Sequence, residues 1–94
     1  FVNIVNASES DSRGALIRAG ISVRVLDKAG VPIAGLEPIV EVIAGDGQVT
    51  RVGSRDQTYP GLWDVDVRLG PSAGPNTFRV RAGGISSDVT ITGQ

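Results

Sequence analysis

The chain has 94 residues, 40% hydrophobic and 20% charged, with 13 Gly, 5 Pro, no Cys, no His and a formal net charge of −1. A chain of this length has room for one core, since it buries only roughly 60–70% of its unfolded surface. The missing residue types exclude a disulfide framework, thiolate or imidazole metal ligands and His-based acid–base chemistry, and the nine Lys and Arg residues are scattered, leaving no basic footprint for nucleic acid.

No apolar run approaches the roughly 20 residues that span a bilayer, so no direct membrane insertion is expected. Phe1-Val2-Asn3-Ile4-Val5 lacks the basic start and long apolar stretch of a signal peptide. With Phe at position 1, residues 1–94 are expected to be a single domain cut from a longer multidomain chain, with any export signal outside it.

In chain order, a weak strand is expected over Phe1 to Val5. Asn6-Ala7-Ser8 fits the N-glycosylation acceptor pattern but reads as loop polarity, and "SESDSRG" that follows reads as a solvated connection. Arg13 to Ala19 comes nearest to a helical period, yet it is short and carries Gly14 and Gly20 at its ends. Ile21-Ser22-Val23-Arg24-Val25 alternates apolar and polar residues, the mark of a half-buried antiparallel strand, with Leu26 breaking the pattern.

"DKAGVPIAG" then supplies turn chemistry, with Gly30 and Gly35 around Pro32. Pro38 to Ile43 is apolar on both faces apart from Glu41, so alternation alone does not choose its inward set. Val40 and Val42 are taken as inward; Ile39 and Ile43 then lie outward and become candidates for a contact surface. "AGDGQ" is a turn, Gln48 to Val52 a weak strand, and "TYPG" a turn that places Tyr59 beside Pro60 as the more exposed aromatic.

Alternation returns in Trp63-Asp64-Val65-Asp66-Val67-Arg68-Leu69 and in Phe78-Arg79-Val80-Arg81-Ala82. Between them "GPSAGPN" joins two core strands through two prolines and two glycines, without the strand-to-helix context of a phosphate-binding loop. A last strand is expected over Ile85 to Thr92, with a bulge or bend at Ser86-Ser87-Asp88. About seven short antiparallel strands with a turn signal roughly every 8–12 residues predict an all-β fold, a sandwich of two sheets. The predicted core is Val23, Val25, Val40, Val42, Trp63, Val65, Val67, Leu69, Phe78, Val80 and Ile91.

"ISVRVLDKAGVPIAG", "EVIAGDGQV", "TYPGLWDVDVRLGPSAGPNTFRVRAGG" and the closing "VTITG", in that order and spacing, resemble one repeat of the bacterial immunoglobulin-like domain of the invasin and intimin type. The resemblance covers roughly Leu16 to Thr92. Two features depart from the family pattern: Gln57-Thr58-Tyr59-Pro60-Gly61 stands where a polar turn is usual, and Trp63 where a small inward residue is usual. The resemblance implies an immunoglobulin-like sandwich and an extracellular or cell-surface module, often one of a tandem array that spaces or presents a binding domain. It brings no catalytic residues, and its partners would be adjacent domains of the same chain.

The side chains with chemistry were weighed against plainer roles. Trp63 could offer a platform to a sugar ring, but it shares a face with Val65, Val67 and Leu69 and reads as core. Asp64 and Asp66 point the same way and could begin a calcium site or a carboxylate pair, yet calcium needs six to eight oxygens and a flat strand offers no cleft. They read better as cross-strand partners of Arg24, with Arg79 and Arg81 facing Glu41 on the opposite sheet. No catalytic, cofactor or metal residue is assigned. The functional expectation is a non-catalytic structural or adhesion module; the alternative is a carbohydrate- or protein-binding module using end loops or an exposed strand edge, and Ile39, Ile43 and Tyr59 are the candidate contact surface.

Overall fold

In the computed structural model, which describes residues 1–55 and 59–94, eight strands form two four-stranded sheets, with no helix among the described residues. The strands are β1 (Val2–Ala7), β2 (Ser10–Asp11), β3 (Leu16–Val25), β4 (Ile39–Ala44), β5 (Gln48–Ser54), β6 (Leu62–Arg68), β7 (Gly74–Ala82) and β8 (Ile85–Gly93). One sheet runs β1-β3-β6-β5 and the other β2-β8-β7-β4. This is the A-B-E-D sheet against C-F-G of an immunoglobulin sandwich. The added member is β2, two residues that pair parallel to β8. Gln57 and Thr58 lie outside the described residues.

Alternation placed the core well because each sheet has one buried face. Ile21, Val23 and Val25 of β3, Trp63, Val65 and Val67 of β6 with Leu69 just beyond it, Phe78, Val80 and Ala82 of β7, and Val89 and Ile91 of β8 are all buried. Trp63 keeps 7% of its surface exposed and packs with Val25 and Ala82 in a second, smaller cluster of the core. Val40 and Val42 do lie opposite the buried Val80 and Phe78. Val42 is nonetheless 37% exposed, so it is not core; β4 is the edge strand of its sheet, with no further strand beside it among the described residues.

Other expectations are corrected by register. "SESDSRG" is more than a connection, because Ser10 and Asp11 add β2 to the sheet edge, held by Thr92 N–H to Glu9 O and Gln94 N–H to Asp11 O. No bulge interrupts β8: its pairing with β7 runs unbroken from Gly74↔Gly93 to Ala82↔Ile85. Ser87 simply occupies an inward slot opposite Val80, so the period of two survives with a polar letter. Bulges fall instead in β1 between Ile4 and Asn6, in β3 between Ile17 and Ile21, in β4 between Val42 and Ala44, and in β5 between Val49 and Arg51.

The "GPSAGPN" corner is organised by its last residue. Asn76 already belongs to β7 and is almost wholly buried. Its Oδ1 accepts the Gly70 N–H at 3.2 Å, and its Nδ2 donates to Ile91 O at 3.3 Å and Gly74 O at 3.4 Å. A buried amide that bonds both sides of a loop holds the loop to the sheet, and losing it would orphan the groups it satisfies. The β4–β5 turn closes over the same residue. A Cβ on Gly45, where φ is 80°, would lie 2.5 Å from Pro75 O and 2.9 Å from Asn76 Oδ1, so no other residue fits there.

Candidate functional site

The register assigns every loop to an end. Val2 lies opposite Val25, Leu62 opposite Arg24, Ala82 opposite Ile85, and Arg81 opposite Ile39 at the start of β4. Phe1, residues 26–38, Arg55, residues 59–61 and the 83–84 turn therefore share one end, and residues 12–15, 45–47, 69–73 and Gln94 share the other. The two chain ends leave at opposite ends of a body measuring 40 × 24 × 17 Å. Both are held to their last residue. The Phe1 amine donates to Leu26 O while Leu26 N–H returns a bond to Phe1 O, and Arg13 N–H bonds Gln94 O.

Two loops build the Phe1 end. Asp27 Oδ1 accepts the Ala29 and Val31 N–H groups at 2.8 and 2.9 Å, folding the start of the 26–38 loop back on itself as an Asx-type turn. Ile33 N–H then bonds Val25 O, and Ile33 packs against the Val25, Trp63 and Ala82 cluster, plugging that end of the core. Gly61 lies so close that a Cβ there would sit 2.7 Å from Val25 O, and its φ is 75°. With Ile33 spent on the plug, Val31 and Leu36 of the same loop stay exposed, as do Phe1 and Ile85.

The three residues proposed from the sequence are all exposed: Ile39 at 57%, Tyr59 at 45% and Ile43 at 41%. The structure does not gather them into one patch. Ile39 and Ile43 stand roughly 13 Å apart along β4 by strand rise, while Tyr59 belongs to the loop of the other sheet. Tyr59 is engaged: the Arg55 guanidinium lies 5.5 Å over its ring and reaches Asp64 Oδ2 at 3.5 Å. Ile39 borders a recess of about 150 Å³ lined with Arg81, Ala82, Gly83 and Gly84. Sequence reasoning read residues 27–35 as turn chemistry only and gave residues 83–84 no role of their own. The available signal was the apolar letters Val31, Ile33 and Leu36 inside a Gly- and Pro-rich turn.

The carboxylates are committed to the fold. Asp64 Oδ1 accepts the Ser22 hydroxyl at 3.0 Å, and Asp66 Oδ1 accepts the Ala19 N–H at 2.7 Å. The latter bond steadies a bulge in which Ala19 has φ 51°, a conformation that costs an L-residue about 1–2 kcal/mol. Arg24 therefore does not pair with Asp64 or Asp66. It lies opposite Leu62 and Asn3, and its Nε is buried with no partner among the described residues. Its stem faces Leu62, which is buried although it points away from the core.

On the outer face of the other sheet, Arg81 pairs with Glu41 and Arg79 with Asp88, whose two oxygens it meets at 2.9 and 3.2 Å. Both pairs lie within one sheet between neighbouring strands: Arg81 meets Glu41 as expected, whereas Arg79, although in register opposite Glu41, takes Asp88 instead. The hydrogen bond from Arg79 lowers the Asp88 pKa from its ordinary 3.8; desolvation opposes it, and the Arg79 charge adds a lesser lowering. Among the described residues, no three His, Cys, Asp or Glu side chains are grouped to hold a metal ion.

No family model matches the chain, and no curated protein matches it in sequence. Its fold is similar to that of solved structures. The S-layer protein rSbsC(31-844) superposes with a TM-score of 0.74 at 17% identity, over 100% of this chain and 12% of that one. Domains 4 and 5 of the S-layer protein SbsC give 0.71 at 15% identity, over 98% of this chain and 50% of that one. The ZirS C-terminal domain gives 0.65 at 17% identity, over 100% and 64%. The chain thus spans only part of each of these proteins, and at these identities the likeness is one of fold.

Proposed function

We propose that residues 1–94 form one non-catalytic structural module of a longer bacterial surface or secreted protein, spacing or presenting a neighbouring binding domain as the invasin and intimin type does. The observation that carries this reading is the path of the chain. It enters at one end of a 40 Å body and leaves at the other, with both terminal segments hydrogen-bonded to their last residue. A neighbour joined at either end is then set by rigid backbone and not by a slack tail. The likeness to single domains of a multidomain S-layer protein supports the same reading. So does the chemistry, for the sequence has no His or Cys and, among the described residues, Asp64 and Asp66 are tied into the fold.

A second reading has one observation in its favour. Tyr59 is exposed at a loop end and carries Arg55 across its ring, an amphipathic surface that suits a sugar or a peptide. The test is a titration of the labelled domain with a glycan panel and with calcium, followed by amide shifts. The spacer reading expects no saturable shift in the amides of residues 55–61. A glycan that saturates them at submillimolar concentration would replace it with a binding module.

A further inference from the structure

The two ends of the sandwich differ in chemistry. The end that holds Phe1 exposes Val31, Leu36, Ile39 and Ile85, and carries the recess lined by Ile39, Arg81, Ala82, Gly83 and Gly84. The opposite end projects the β6–β7 corner, where Pro71, Ser72, Ala73 and Pro75 are exposed. We infer that this corner of one copy of the module seats in the recess of the next copy, head to tail. The inference rests on the module reading above and names the partner at its joint.

Four features match. The recess, at about 150 Å³, has the volume that admits a benzene-sized group, which suits a proline ring or an alanine methyl with its backbone. The corner is stiff before it docks, because Asn76 bonds Gly70, Gly74 and Ile91 across its base, so seating it costs little ordering entropy. No charged residue occurs from Leu69 to Phe78, and the one charge lining the recess, Arg81, already holds Glu41, so docking strands no ion. Hydrogen bonding is complementary as well. Pro71 and Pro75 remove two N–H donors from the corner, so it meets a partner mainly through carbonyl acceptors, and the Arg81 guanidinium has donors beyond the one given to Glu41.

Chain direction fits the same geometry. The corner lies at the end where the chain leaves and the recess at the end where it enters, so copies in tandem bring corner to recess in sequence order. Because the two surfaces are different patches at opposite ends, the contact is heterologous and propagates without closing. Between separate molecules it is small and weak; in tandem it is strengthened by effective concentration.

The test uses the chain as it stands. Amide spectra recorded from tens of micromolar to several millimolar are expected to show two disjoint sets of moving signals, one over residues 71–75 and one over residues 39 and 81–85. Two exposed-site variants then separate the partners. Ala73→Asp spoils the corner and Ile39→Asp spoils the recess; each alone is expected to lose the concentration dependence while melting like the parent. Mixed, they are expected to restore one contact, the Ile39→Asp chain lending its corner to the Ala73→Asp recess, as a one-to-one complex. Spectra that stay constant up to several millimolar overturn the inference, as do shifts confined to one end or a mixture that fails to complement. Any of these leaves the spacer reading standing, since that reading falls to ligand binding and not to the lack of a joint.

Discussion

Each strand residue is spoken for by the face it occupies, and single substitutions separate the two faces sharply. Val65→Asp would bury a charge with no partner and is expected to leave the domain unfolded in circular dichroism at 25 °C. Asp66→Asn, one residue on, keeps an oxygen to accept the Ala19 N–H and is expected to change the stability by less than about 1 kcal/mol. Equal melting of the two would mean that the faces of β6 are reversed. Two further residues carry backbone chemistry that periodicity does not encode. Asn76→Ala orphans the Gly70 N–H and Ile91 O and is expected to cost about 1–3 kcal/mol in urea titrations. Ala19→Gly relieves a positive φ at the β3 bulge and is expected to raise the melting midpoint, a gain of at most about 1 kcal/mol. A lower midpoint would place the strain elsewhere.

At the scale of elements, β4 shows how much an edge changes the meaning of a sequence. Its residues face as the pattern suggested, yet Val42 is open to solvent because no described strand follows on that side. Alternation reports direction; burial depends on neighbours brought from elsewhere in the chain. The charge pairs show the same dependence: Arg81 meets Glu41 as expected, diagonally between β7 and β4, while Arg79, in register with Glu41 on one side and Asp88 on the other, takes Asp88. Asp88 has its pKa lowered in the folded state, so the Arg79 bond contributes stability that is fully present above the ordinary value of 3.8 and is lost as pH falls through the depressed value. Melting measured from neutral into acid is expected to be less pH-dependent below that point in Asp88→Asn than in the parent. An unchanged acid slope would show that the exposed pair contributes nothing.

For the whole molecule, the consequence is mechanical. Force applied between Phe1 and Gln94 acts along β1 against β3 and along β8 against β7, so several ladder bonds are loaded together in shear. Force applied between Asp11 and Thr50, on the outermost strands of the two sheets, opens bonds one after another. Single-molecule pulling is expected to need a clearly higher force in the first geometry. If both directions unfold the domain at similar force, the strand arrangement gives it no advantage as a spacer. Trp63, sealed by Ile33 at one end of the core, is expected to emit at short wavelength in the folded domain and to shift to the red only on unfolding.

The chain by itself determined the sandwich: a period of two over its strands, Gly and Pro between them, and too little charge on the inward set to permit any other burial. It also determined what chemistry was absent, since no fold can supply a thiolate or an imidazole that the sequence lacks. Only the tertiary structure decided which strands became edges, that Ser10 and Asp11 joined a sheet, and that Asn76 left its turn to brace the corner. The pairing of a stiff corner at one end with an apolar recess at the other was likewise invisible in the letters. These are properties of contacts between segments far apart in the chain, whereas periodicity is a property of neighbours within one segment.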